Sequence, residues 1–148
     1  MADENSVSRT DGGTSNVRRN PFPVTPGFEA IYSHAVEVEP GSRLLFISGQ
    51  IGTRPQGDTP KDFSPQFEQA IANLFLVLAS AGMTSADLVK LTFFVTRAQD
   101  LRELGDIRRR LLGVSPAVTT LVVAGLARSD LLVEVEAVAA RTTVARSG

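Results

Sequence analysis

Apolar and polar residues alternate in "SHAVEVEPGSRLLFISGQIG", which predicts two strands joined at Pro40-Gly41, a strong turn dipeptide. The period then changes. Phe67, Ile71, Leu74 and Leu78 fall at spacings of four, three and four, one apolar stripe along a helix. Ser64 is positioned to cap that helix, Pro65 suits its first turn and Gly82 its end. Leu88 to Thr96 alternates again and predicts a strand. "DLRELGDIRRRLLG" predicts a second amphipathic helix, with Leu101, Leu104, Ile107 and Leu111 as its stripe and Asp100 and Glu103 at capping-box spacing. "VTTLVVAGL" and "LLVEVEAVAA" predict two last strands. The order β-β-α-β-α-β-β predicts an α+β domain, one sheet with both helices on one face.

Strand parity sorts the two faces. Leu45, Ile47, Ile51, Val89, Leu91, Phe93, Val95, Val133, Val135 and Ala137 fall on the expected helix side. Ser48, Gln50, Lys90, Thr92, Glu134 and Glu136 fall on the other, together with Leu44, Phe46, Phe94, Leu132 and Val138. That second face is too apolar to be left in water and too polar for a plain core, so it predicts an oligomer seam with polar residues clustered in it.

Residues 1–26 are rich in Ser, Asn, Asp, Gly and Pro without periodicity and are expected to form a flexible tail. The domain is expected over 27–142, starting near Phe28, with a short tail over 143–148. Fifteen basic and sixteen acidic residues leave a net charge of -1, which gives no electrostatic case for nucleic acid or an anionic membrane. The absence of cysteine excludes disulfides and thiolate chemistry, and a single histidine, His34, excludes a multi-His metal centre. The start has no secretory pattern and no apolar run reaches the ~18 residues of a membrane span, so a cytoplasmic protein is expected.

Glu134 and Glu136 share one strand face inside an apolar run, and a carboxylate there needs a partner or a task. Either could be a general acid/base, or could make hydrogen bonds and salt links across a subunit seam. For Glu136 the seam contact is the better reading. His34 and Tyr32 are ordinary interface residues unless a ligand meets them. Gly49 and Gly125 suit a bulge or a close backbone approach. The run Arg108 to Arg110 reads as a solvated helix face, with no aromatic platform to make it a nucleic-acid site.

"YSHAV" (32–36), "ISGQI" (47–51), "AGMTSADLVKLTFFV" (81–95) and "SPAVTTLVVAGLARSDLLVEVEAVAA" (115–140) resemble, in order and spacing, the Rid family, also called YjgF. The resemblance implies a chorismate-mutase-like fold with a mixed sheet, a homotrimer with clefts between subunits, and no cofactor or metal. It also implies hydrolysis of reactive enamines and imines to carbonyl products and ammonia. Family deaminases hold the substrate carboxylate with an arginine that follows a Pro-Ala pair. Here Pro116-Ala117 is followed by Val118, which has neither donor nor charge. Glu134 matches the first acid of the family's paired-Glu motif, which positions the hydrolytic water. Tyr32 matches a tyrosine of the cleft, although the Gly-Pro usual before it is Ala30-Ile31, and Ser48 falls where the family often has a serine.

The expected site is therefore Glu134 as the catalytic residue, with Tyr32, Ser48, Val118 and Thr119 lining the substrate. Arg54, Arg97 and Arg128, at strand ends, are candidates to replace the missing arginine. The expected activity is deamination of an enamine or imine other than a simple 2-imino acid. The alternative is a non-catalytic trimer that binds a small ligand or modulates a partner. RNA cleavage, described for some relatives, is the third and least favoured reading.

Overall fold

The structure, a computed structural model, describes residues 7–8, 16–21, 24, 27 and 31–143. Most of the two expected tails, and Phe28 with the expected start of the domain, lie outside the described residues. In chain order the elements are β1 (Val7–Ser8), β2 (Val17–Arg19), β3 (Ala35–Glu37), β4 (Arg43–Ile51), α1 (Phe63–Ser80), β5 (Leu88–Val95), α2 (Leu101–Leu112), β6 (Ala117–Val122) and β7 (Val133–Arg141). From β3 onward this is the expected α+β order.

The main sheet runs β4-β7-β5-β6, with β5 and β6 parallel and β7 antiparallel to both its neighbours. Hence β4 and β5 run the same way with β7 between them. The crossovers β4-α1-β5 and β5-α2-β6 step across the sheet in one direction, and a common right hand puts both helices on one face.

The Pro40-Gly41 turn forms, with the Ser42 N–H donating to the Glu39 carbonyl at 3.2 Å, but the strands beside it do not pair with each other. β3 pairs instead with β2 and β4 with β7, so the expected hairpin is two edges of separate sheets. β2 comes from the stretch read as tail, and its neighbour Asn16 is buried with its amide donating to the Ala140 carbonyl at 3.0 Å. A polar composition concealed a strand that borrows its partners from elsewhere.

The stripe of α1 is buried as expected, and Phe67, Ile71, Leu74 and Leu78 pack with Leu91, Phe93, Val133 and Val135 in one core. The helix starts one residue before Ser64, whose hydroxyl donates to Glu103 and caps nothing. At its end the Gly82 N–H reaches the Ala79 carbonyl and the Met83 N–H the Leu78 carbonyl, both at 2.9 Å, with Gly82 at φ +69. This Schellman pattern needs the left-handed conformation that glycine adopts freely. The expected Asp100–Glu103 box is absent because both acids are engaged elsewhere, Asp100 by Arg97 and Glu103 by Ser64. A capping box forms instead at Thr84 and Asp87, ahead of β5. Buried Asp87 also takes a bidentate pair from Arg141 of β7 at 3.0 and 2.7 Å, which ties the end of the central strand to the start of its neighbour.

Candidate functional site

The face of the sheet away from the helices carries most of the candidate polar residues, and register decides which of them meet there. Ile47 stands opposite Ala137 but Gln50 opposite Val135, so β4 has one residue too many between them. This bulge at Ser48-Gly49 brings Gln50 opposite a core residue and Ile51 opposite Glu134, reversing the faces that simple alternation gave these two. A second irregularity at Val89 lets Leu88 and Leu91 both face the core while Lys90 turns outward.

The outer face then reads in rows. Thr92 stands opposite both Glu136 and Thr119, and Ser48 flanks Glu136 from the bulge, so one row is polar from edge to edge. Ile51, Glu134, Phe94 and Leu121 form the next row. On the other side Phe46 stands opposite Val138. Lys90 leans into the polar row and its Nζ donates to Thr119 Oγ1 at 2.6 Å. Ser48, Lys90, Thr92 and Glu136 line a cleft of about 320 Å³ with Phe46 and Val138 as its apolar wall.

Glu134 lies directly over Gly49. A Cβ built on that glycine would sit 1.7 Å from Glu134 Oε1, so only glycine leaves the carboxylate its place. The expected role of Gly49, a bulge with close approach, is met. Gly125 has nothing within 4 Å of such a Cβ. None of the ion pairs among the described residues uses Glu134 or Glu136. The entry to β7 is held by fully buried Gln66, which accepts from the Leu132 N–H at 2.6 Å and donates to the Pro60 and Asp130 carbonyls at 2.8 and 3.0 Å. That leaves this buried amide well satisfied and fixes the strand two residues before Glu134.

Of the expected site residues, Ser48, Thr119 and Glu134 thus share one face. Val118 does not join them: it stands opposite Leu91 and packs against the core. Tyr32 lies beyond β6, at the edge of the sheet opposite β4. Ser33 next to it donates its N–H to the Pro116 carbonyl at 2.9 Å and bridges Ala117, and the Tyr32 ring meets His34 edge-on at 5.5 Å.

The three candidate replacement arginines are committed close by: Arg54 to Asp58, Arg97 to Asp100, and Arg128 to Asp130 and Thr59. The hydrogen bond that Arg97 donates to Asp100 holds Arg97 above its usual range, and the one Arg128 donates to Asp130 does the same for Arg128. Two cations outside that set stand out, Lys90 in the cleft and Arg108. Arg108 is 8 % exposed, so the arginine run is not one solvated face, whereas its neighbours Arg109 and Arg110 are exposed and pair with Asp106 and Glu68. The signal was in the spacing, since Arg108 follows Leu104 by four residues and belongs to the buried stripe.

The family model for Endoribonuclease L-PSP matches residues 23–141. Among known proteins, the chain is 36% identical over 120 residues to a RutC family protein of Aquifex aeolicus, covering 78% of this chain and 87% of that one. It is 30% identical over 122 residues to TdcF of Escherichia coli strain K12, covering 79% and 92%, a protein whose name assigns it provisionally as a reactive intermediate deaminase. Among solved structures, YyfB of Yersinia pestis, a Rid family protein of unknown function, superposes with a TM-score of 0.75 at 32% identity, covering 84% of this chain and 97% of that one. Among the described residues no helix is long and apolar enough to cross a membrane.

Proposed function

The chain belongs to the Endoribonuclease L-PSP family, the Rid or YjgF proteins, and from that premise we propose that it hydrolyses a reactive enamine or imine at the outer face of its sheet. The observation that carries this reading is the Glu134 carboxylate laid over Gly49, beside a polar row that ends in a cleft. A carboxylate in that position takes a proton from water as the water adds to the imine carbon, and returns it to the nitrogen. The carbinolamine then collapses to a carbonyl with loss of ammonia. Ser48, Thr92 and Thr119 supply hydroxyls around the polar intermediate.

Tyr32 sits on the far edge of the same chain, so it reaches such a site only from a neighbouring copy. Phe46 and Leu44, 75% and 52% exposed, give the outer face an apolar surface for that neighbour, in keeping with a trimer with clefts between subunits. Val118 offers no donor, so the substrate is held otherwise than through that position. RNA cleavage has little support, because Arg109 and Arg110, the exposed cations of α2's basic run, already pair with carboxylates.

The test generates imines in place with an amino-acid oxidase or a serine/threonine dehydratase, traps what remains with semicarbazide and follows carbonyl release. Wild type is expected to speed release, and Glu134→Gln to cut the rate by about 10²–10⁴-fold. Gly49→Ala, which drives the carboxylate from its place, is expected to act in the same direction. A wild type that is inert across the panel, or a Glu134→Gln variant as fast as wild type, removes the reading. Stabilisation by ligands without turnover would favour the non-catalytic binder.

A further inference from the structure

Among the described residues, Arg108 is the buried charge that the fold does not explain. Among the described residues Asp87 is met by Arg141 and Asp100 by Arg97, yet none of the ion pairs uses Arg108. Its guanidinium lies over the Phe93 ring, 5.8 Å from the centroid. Its Nη2 donates to the Ile31 carbonyl at 3.5 Å, a long bond to a neutral acceptor. A guanidinium has five N–H donors in a planar fork, so most of its capacity is unspent there. Burial lowers its pKa from the usual range, the Arg109 charge adds to this, and Tyr32 opposes it.

A leucine at 108 would complete the stripe made by Leu104, Ile107 and Leu112 at no electrostatic cost. The cation is retained at a place where the chain passes from α2 to the Ile31–Ser33 edge, beside the one tyrosine of the sequence. The Tyr32 ring in turn packs on His34. With its Cζ over the Phe93 ring and one N–H spent on the Ile31 carbonyl, the guanidinium keeps donors for two parallel hydrogen bonds to a carboxylate. A single cation nine-tenths buried suits a small anion and not a polyanion, which needs a run of exposed charge.

Resting on the deaminase reading above, we infer that Arg108 and Tyr32 form the carboxylate-binding end of the site, so that the substrate is an enamine or imine that carries a carboxylate. The anchor comes from helix α2 through the sheet edge, on the same side of the sheet as inward-facing Val118. The reacting carbon would then lie toward the Glu134 of the neighbouring copy, with the acid group held away from it.

The full chain, labelled with nitrogen-15, is titrated with pyruvate and with succinate, and with propionamide as a neutral control. At least one carboxylate is expected to bind while propionamide does not. The Arg108 Nε–H signal, identified by its loss in Arg108→Lys, is expected to move in step with saturation. Arg108→Met is expected to bind about tenfold or more weakly and Arg110→Met, which removes an exposed cation of the same helix, like wild type. Absence of carboxylate binding, an Arg108 signal that stays in place, or equal affinity in a folded Arg108→Met each overturns the inference. If Arg108→Met does not fold, the signal in wild type decides. Carboxylate binding lost with Arg108 but no imine hydrolysis keeps the anion site and removes the deaminase reading. Hydrolysis indifferent to Arg108→Met does the reverse.

Discussion

The two faces of β7 make opposite demands on the same nine residues. On the helix side Val133, Val135, Ala137 and Ala139 are buried against α1 and the neighbouring strands, and each could be exchanged only for something of like volume. On the outer side Glu134, Glu136 and Val138 are partly or fully open and serve the packing of the single chain little. A strand that stored its chemistry in the core would have to satisfy two carboxylates there. By alternating, it gains a rigid base from one face and keeps both carboxylates out of the core.

The contrast can be broken most strongly from the core. Leu74→Ala on α1 empties fully buried space and is expected to cost about 2–5 kcal/mol in urea unfolding. A loss under about 1 kcal/mol would mean that the core collapses around the gap, contrary to its close packing. On the outer face Phe46→Glu is expected to change the folding stability of the isolated chain by no more than about 0.5 kcal/mol. The same substitution should lower the sedimenting mass, because it puts a charge in the proposed seam. An unchanged mass would detach this face from assembly.

The smallest effect is expected in the loop that leads into β7. The hydrogen bond from Arg128 holds the Asp130 carboxyl below its ordinary range. A depressed folded value stabilises above the unfolded value of about 3.9, and that contribution is lost as pH falls through the folded one. Asp130→Asn should therefore lower Tm slightly above about pH 4 and converge with wild type as pH falls below it, and a difference that persists unchanged in acid would point to packing instead.

Periodicity made both helices, the strand order and most of the core legible, because burial on one face forces a period of 3.6 or 2 on the sequence. Residues whose partners are distant in sequence were not legible. The bulge at Ser48-Gly49 turned Ile51 outward against alternation, β3 chose β2 over its sequence neighbour, and Asp100 preferred Arg97 to a capping box. At the site, the place of Glu134 on the outer face could be read from strand alternation. Its dependence on Gly49 could not, nor could the burial of Arg108 within a run of like residues.

The place of β7 in the sheet also bears on how the chain is made. β7 follows β4, β5 and β6 in the chain but lies between β4 and β5, so those strands emerge with their central gap empty. At synthesis rates of about 5–20 residues per second, two unpaired edges stay exposed on the order of seconds. A nascent chain in that interval is a target for chaperones and for pairing with its own kind. Because Glu134 and Glu136 ride on the strand that closes the gap, a stalled or shortened product carries the hazard of the open sheet without either carboxylate.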